Sequence, residues 1–139
     1  MKRVLVDTNV LLDVLPARQP HVAASSAVWA AIENRTAEGL IAAHAITTVH
    51  YLLRKELGLA TTKRIIGALL GVFGVAAVDS AVIEDALQAA AGDFEDAVTA
   101  AAARHSDCDL IVTRDPRGFR NSQVRAMTPE AAVPVIQGA

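Results

Sequence analysis

A single cysteine, Cys108, leaves this chain without a disulfide framework or a thiolate zinc site. Aromatic residues are almost as scarce, with one Trp, one Tyr and three Phe. An extended platform for stacking single-stranded bases is therefore excluded. No apolar run approaches the roughly 18 residues that suggest a membrane span. Met1-Lys2-Arg3 runs at once into a short apolar strand, too brief for the core of a signal peptide. The composition predicts a reduced, cytoplasmic setting. Strong charge of either sign is also missing. A net charge of −2 excludes a broad electrostatic nucleic-acid binder. It leaves open a cluster of carboxylates that faces phosphate once neutralised by divalent metal.

What is present is a 53% apolar chain of 139 residues, enough for one domain over 1–139 with a full core. Strands are expected at 3–7, 40–43, 73–78, 110–113 and 124–127. Helices are expected over 10–15 (stopped by Pro16), 20–36, 46–57 (ended by Gly58) and from Thr61 or Thr62 to about Leu70. Asp79-Ser80 should cap another helix through about Ala90, and Asp93 should open the next. Thr128-Pro129-Glu130 has the order of a last helical turn. Strands alternating with helices predict an α/β protein in three layers, with a central five-stranded parallel sheet.

Three acidic positions recur at comparable places. Asp7 ends the first strand, Asp96 lies in the first turn of the helix beginning near Asp93, and Asp115 follows the fourth strand. In a parallel sheet all three fall on the edge where ligands bind. Carboxylates gathered there repel one another unless a cation joins them, and oxygen donors of this kind suit Mg²⁺ or Mn²⁺. Asn9 and Thr113 are placed to orient them. Taken singly, each acid has an ordinary structural reading. Asp7 or Asn9 can cap a helix, Asp93 has N-cap spacing to Asp96, and Asp115-Pro116 can begin a turn.

Val4-Leu5-Val6-Asp7-Thr8-Asn9, Asp93-Phe94-Glu95-Asp96-Ala97, and Ile111-Val112-Thr113-Arg114-Asp115 with Phe119 resemble the PIN domain, as does Tyr51-Leu52-Leu53-Arg54-Lys55. The resemblance spans nearly the whole chain. It implies a metal-dependent ribonuclease acting on RNA, often the VapC toxin paired with a small antitoxin and built as a homodimer. It makes Asp7, Asp96 and Asp115 the catalytic Mg²⁺ or Mn²⁺ ligands.

One departure stands out. Where the family places a glutamate early in the helix after the second strand, this chain has Thr48. A neutral hydroxyl is the weaker ligand, which implies one metal instead of two, looser binding, or a module that binds RNA or protein without cutting. Asp93 and Asp13 are candidates to compensate, unless Asp13 faces solvent. His50 and, better placed, His44 are further polar candidates. Arg114, Arg117 and Arg120 follow Asp115 closely and can pair with RNA phosphates. Ala23, Ala24, Ala27, Leu57, Leu59, Ile65, Ile66 and Leu69 are read mainly as core, with some left for a dimer or antitoxin surface. A haloacid dehalogenase type of phosphotransferase ranks last, because that chemistry wants an aspartate where Asn9 stands.

Overall fold

The computed structural model describes residues 1–15, 22–89 and 92–138. Its elements in chain order are β1 (Lys2–Val6), α1 (Thr8–Val14), α2 (Val22–Glu33), β2 (Ala37–Ala42), α3 (Ala43–Leu70) and β3 (Gly74–Ala76). They continue with α4 (Ser80–Gln88), α5 (Phe94–His105), β4 (Leu110–Val112), a 3₁₀ turn (Pro116–Phe119), β5 (Arg125–Met127) and α6 (Pro129–Gln137). The five strands form one sheet in the order β3-β2-β1-β4-β5, and every neighbouring pair is parallel. The expected α/β class and five-stranded parallel sheet are what the structure has.

The strands are short and apolar because both faces of the sheet are covered. Val4, Leu5, Ile111 and Val112 have no exposed surface. On one side α2 packs against α1 and α6, and on the other α4 packs against α5. The chain leaves β1 toward β2 and returns from β3 to β4 on the far side of β1. That reversal puts a crevice at the carboxyl ends of β1 and β4, where a doubly wound sheet binds its ligands.

Local signals place most boundaries. Asp79 caps α4 by accepting from the Val82 amide, and Thr128 caps α6 by accepting from Ala131 with Pro129 in the first turn. That last helix runs on to Gln137 and is no single turn. The two helices expected around Gly58 share the span of α3. They are separated by that one residue, whose φ of 79° suits a residue without a Cβ. Thr62 does not cap the second arm; its hydroxyl donates to the Gly58 carbonyl one turn back at 2.7 Å. The predicted stop at Pro16, start at Pro20 and end near Ala90 lie outside the described residues.

Two expectations shift. Gly39 lies inside β2, opposite Val4, and the strand begins at Ala37. A Cβ on Gly39 would stand 2.7 Å from Ile32 and 2.8 Å from Phe73. The glycine therefore marks close packing of α2 on the sheet. Leu57 and Leu59, read as core, are 45% and 42% exposed on α3, while Leu69 is buried. Among the described residues no helix is long and apolar enough to cross a membrane.

Candidate active site

Asp7 is the first residue after β1, and its amide donates to the Val112 carbonyl of β4 at 2.9 Å. The ladder itself thus ties it to the strand that delivers Thr113 and Asp115. Both carboxylate oxygens are engaged: Oδ1 accepts from the Thr8 amide at 2.9 Å, and Oδ2 accepts from the Thr113 hydroxyl at 2.9 Å. Thr113 is completely buried. Its Oγ1 also accepts from Asn9 Nδ2 at 3.3 Å and from the Asp115 amide at 3.2 Å. One hydroxyl thereby uses its single proton and both lone pairs. Asn9 closes the circle, its Oδ1 accepting from the Arg114 amide at 3.1 Å.

Asp93 caps α5, its Oδ1 accepting from the Asp96 amide at 2.9 Å. That bond aims the first turn of α5 at the crevice and gives Asp93 the capping role its spacing allowed. Asp96 then lies against the 3₁₀ turn, where a Cβ on Gly118 would stand 2.6 Å from its Oδ2. A side chain at this position would push the Asp96 carboxylate aside.

The electrostatics record how these acids face one another. Burial raises the Asp96 carboxyl to about 6, and Asp93, Asp7, Glu95 and Asp115 push it in the same direction. Burial likewise raises Asp7, although the bonds from Thr113 and Thr8 oppose it. Glu95, unmarked at the sequence level, adds to both. A first-turn acid is common at a helix N-terminus, so Glu95 carried no separate signal.

The remaining candidates divide. Asp115 is outermost, with 64% of its side chain exposed and its Oδ1 3.5 Å from Arg117 Nε. Thr48 is half-buried on α3. His44, in the first turn of α3, has Nε2 3.2 Å from the Thr99 hydroxyl and lies near enough to Asp7 to favour its ionised form. Thr99, buried on α5, donates to the Glu95 carbonyl at 3.0 Å. Arg117 is 90% exposed. Arg114 points elsewhere, its Nε 3.1 Å from Asp13 Oδ2. Asp13 itself is fully buried and not solvent-facing, because α2 lies over it and Ser25 donates to it at 2.9 Å.

The donor chemistry fits a hard divalent cation: carboxylate oxygens with spare lone pairs, repelling one another through a partly dry crevice. The spacing is open, and among the described residues no three His, Cys, Asp or Glu side chains stand close enough together to chelate an ion. Asp115 is the member drawn away, toward Arg117.

A parallel sheet whose switch point gathers acids from β1, α5 and the β4 exit defines a class of α/β proteins with an acidic crevice. Within that class the chain belongs to the PIN domain family, whose sequence model matches residues 3–117. No curated protein matches the sequence. Solved structures share the fold. The FitAB complex bound to a DNA fragment matches at 20% identity over 91% of this chain and 94% of that chain, with a TM-score of 0.71. DNA-bound VapBC of Salmonella typhimurium matches at 15% identity over 93% and 99%, with a TM-score of 0.69. Mycobacterium tuberculosis VapC20, a toxin that cleaves the sarcin-ricin loop, matches at 17% over 78% and 86%, with a TM-score of 0.61.

Proposed function

We propose that this protein is a divalent-metal-dependent endoribonuclease and the toxin of a toxin–antitoxin pair. The observation that carries the reading is the shared crevice of Asp7, Asp96 and Asp115, where burial lifts Asp96 to about 6 and Asp93, Asp7, Glu95 and Asp115 push it the same way. Structural caps do not need to face one another across a sheet switch point; ligands of one cation do. Mg²⁺ or Mn²⁺ held by Asp7, Asp96 and Asp115 would polarise a phosphoryl oxygen and lower the pKa of a bound water. The chain's own groups do the rest. Thr113 and Thr8 fix both oxygens of Asp7, Asn9 fixes Thr113, and Gly118 lets Asp96 approach the β4 exit.

The RNA strand has a path away from the acids. A cavity of about 690 Å³ runs from Asp93 and Asp96 along α5, lined further by Arg104, Arg117, Arg120 and Gln123. Arg117 and Arg120 supply phosphate contacts there. The exposed Tyr51, Leu57 and Leu59 of α3 are a candidate surface for the antitoxin or a second copy.

Asp7→Asn keeps the shape and one accepting oxygen, giving up one of the two bonds from Thr8 and Thr113 while removing a ligand charge. Mn²⁺-dependent cleavage of RNA should disappear and the melting temperature persist. Undiminished cleavage by this variant sinks the assignment. A non-cutting RNA- or protein-binding module is the second reading, favoured by Thr48 and the unassembled ligand set. Calorimetry separates the two, since that module takes up no Mn²⁺ at millimolar concentration.

A further inference from the structure

Asp13 plays no part in the chemistry above, yet it is the one charged side chain buried among the described residues, with none of its surface exposed. A carboxylate removed from water needs compensation from its surroundings. Ser25 of α2 donates to Oδ2, and Arg114 Nε lies 3.1 Å from the same oxygen. Among the described residues neither Asp13 Oδ1 nor Arg114 Nε has a hydrogen-bond partner. The link between the two residues is therefore one of charge more than of bond geometry.

The partner is what gives the pair meaning. Asn9 and Asp13 stand four residues apart on α1, so they share one face of the helix. Asn9 holds the Arg114 amide while Asp13 holds its guanidinium. Helix α1 thus grips a single residue by its main chain and by its side chain. On one side of that residue Thr113 anchors Asp7, and on the other Asp115 hangs its amide on Thr113. Through Ser25 the grip extends to α2.

We infer that Asp13 is a positioning residue: through Arg114 it fastens the loop leaving β4, and so sets Asp115 relative to Asp7. Arg114 is consequently a structural counter-ion rather than an RNA contact. It does not line the cavity along α5, whereas Arg117 and Arg120 do. The consequence for catalysis rests on the metal-ribonuclease reading; the fastening itself does not.

The test compares wild type with Asp13→Asn, Arg114→Lys and the double variant Asp13→Asn/Arg114→Gln, which leaves no buried charge unpaired. Hydrogen exchange over residues 113–119 is read against β1 and the body of α5, alongside Mn²⁺ affinity by calorimetry. Asp13→Asn and the double variant should exchange roughly tenfold faster in that loop alone. Their Mn²⁺ affinity should fall about tenfold. Arg114→Lys, which keeps the charge, should hold loop exchange near wild type. Wild-type exchange in Asp13→Asn, acceleration spread evenly over all elements, or a lysine variant as loose as the others overturns the proposal. If wild type binds no Mn²⁺ and cuts no RNA, the nuclease reading falls, and loop exchange still decides the fastening.

Discussion

Replacing Asp96 by Asn should make the metal-free protein more stable, although it removes a proposed ligand. The folded Asp96 carboxyl sits at about 6 against 3.8 for an unperturbed one. The folded state therefore holds a proton that the unfolded state has released. Stability must fall as pH rises through that interval, and the cost is complete above pH 6. At 1.36 kcal/mol per unit the ceiling is about 3 kcal/mol. Asp96 is only partly buried, so solvent screening trims this to roughly 1 kcal/mol. For a chain of this length that is about 3 °C in melting temperature. Asn mimics the neutral form, and the cap at Asp93 survives because its donor is the backbone amide of residue 96. The assay is thermal unfolding by circular dichroism in EDTA from pH 4 to pH 8. The variant should lead at pH 8 and lose its lead near pH 4. With millimolar Mn²⁺ the order should reverse, since only wild type gains binding energy in the folded state. A variant no more stable than wild type at pH 8, or a lead unchanged at pH 4, would refute the reasoning.

Two further outcomes are expected. Thr113→Val keeps the volume but strands the Asn9 amide and the Asp115 amide, so it should cost about 1–3 kcal/mol in urea unfolding and weaken Mn²⁺ binding; an unchanged midpoint and affinity would count against the hydroxyl as the hub. Burial pushes the Cys108 thiol up to about 11. Iodoacetamide at pH 8 should therefore label it only after unfolding, and between pH 9 and 11 the folded state should lose stability because it retains the proton that the unfolded thiol releases.

Several parts of the site were written locally. Asp93 caps α5 because an N-cap needs only its own side chain and the next turn. Asp7 ends β1 because the apolar run stops there. Gly58 breaks α3 where the chain lacks a Cβ to resist positive φ. Other features were illegible for equally physical reasons. Asp13 reads in sequence as either a compensating ligand or a solvent-facing side chain on a short helix, because nothing nearby says that α2 will cover it. Arg114 looked like Arg117, and only the position of α1 separates a half-buried counter-ion from an exposed cation. Gly39 fell outside the expected strand at 40–43, because only Ile32 and Phe73 closing over it show why a glycine belongs inside β2. Glu95 and Thr99 gave no distinct signal, since their meaning lies in distances to Asp7 and His44.

By itself the sequence determined which residues could be ligands and which edge of a parallel sheet they would reach, because strand ends, caps and crossovers are short-range matters. It also determined that position 48 carries a hydroxyl in place of an acid. The tertiary structure decided how the acids meet. It raised Asp96 first by burying it and then by setting other acids beside it, turned Arg114 toward Asp13, and left Asp115 outermost beside Arg117. Electrostatic coupling and burial depend on distances between segments about a hundred residues apart, and no local pattern encodes those.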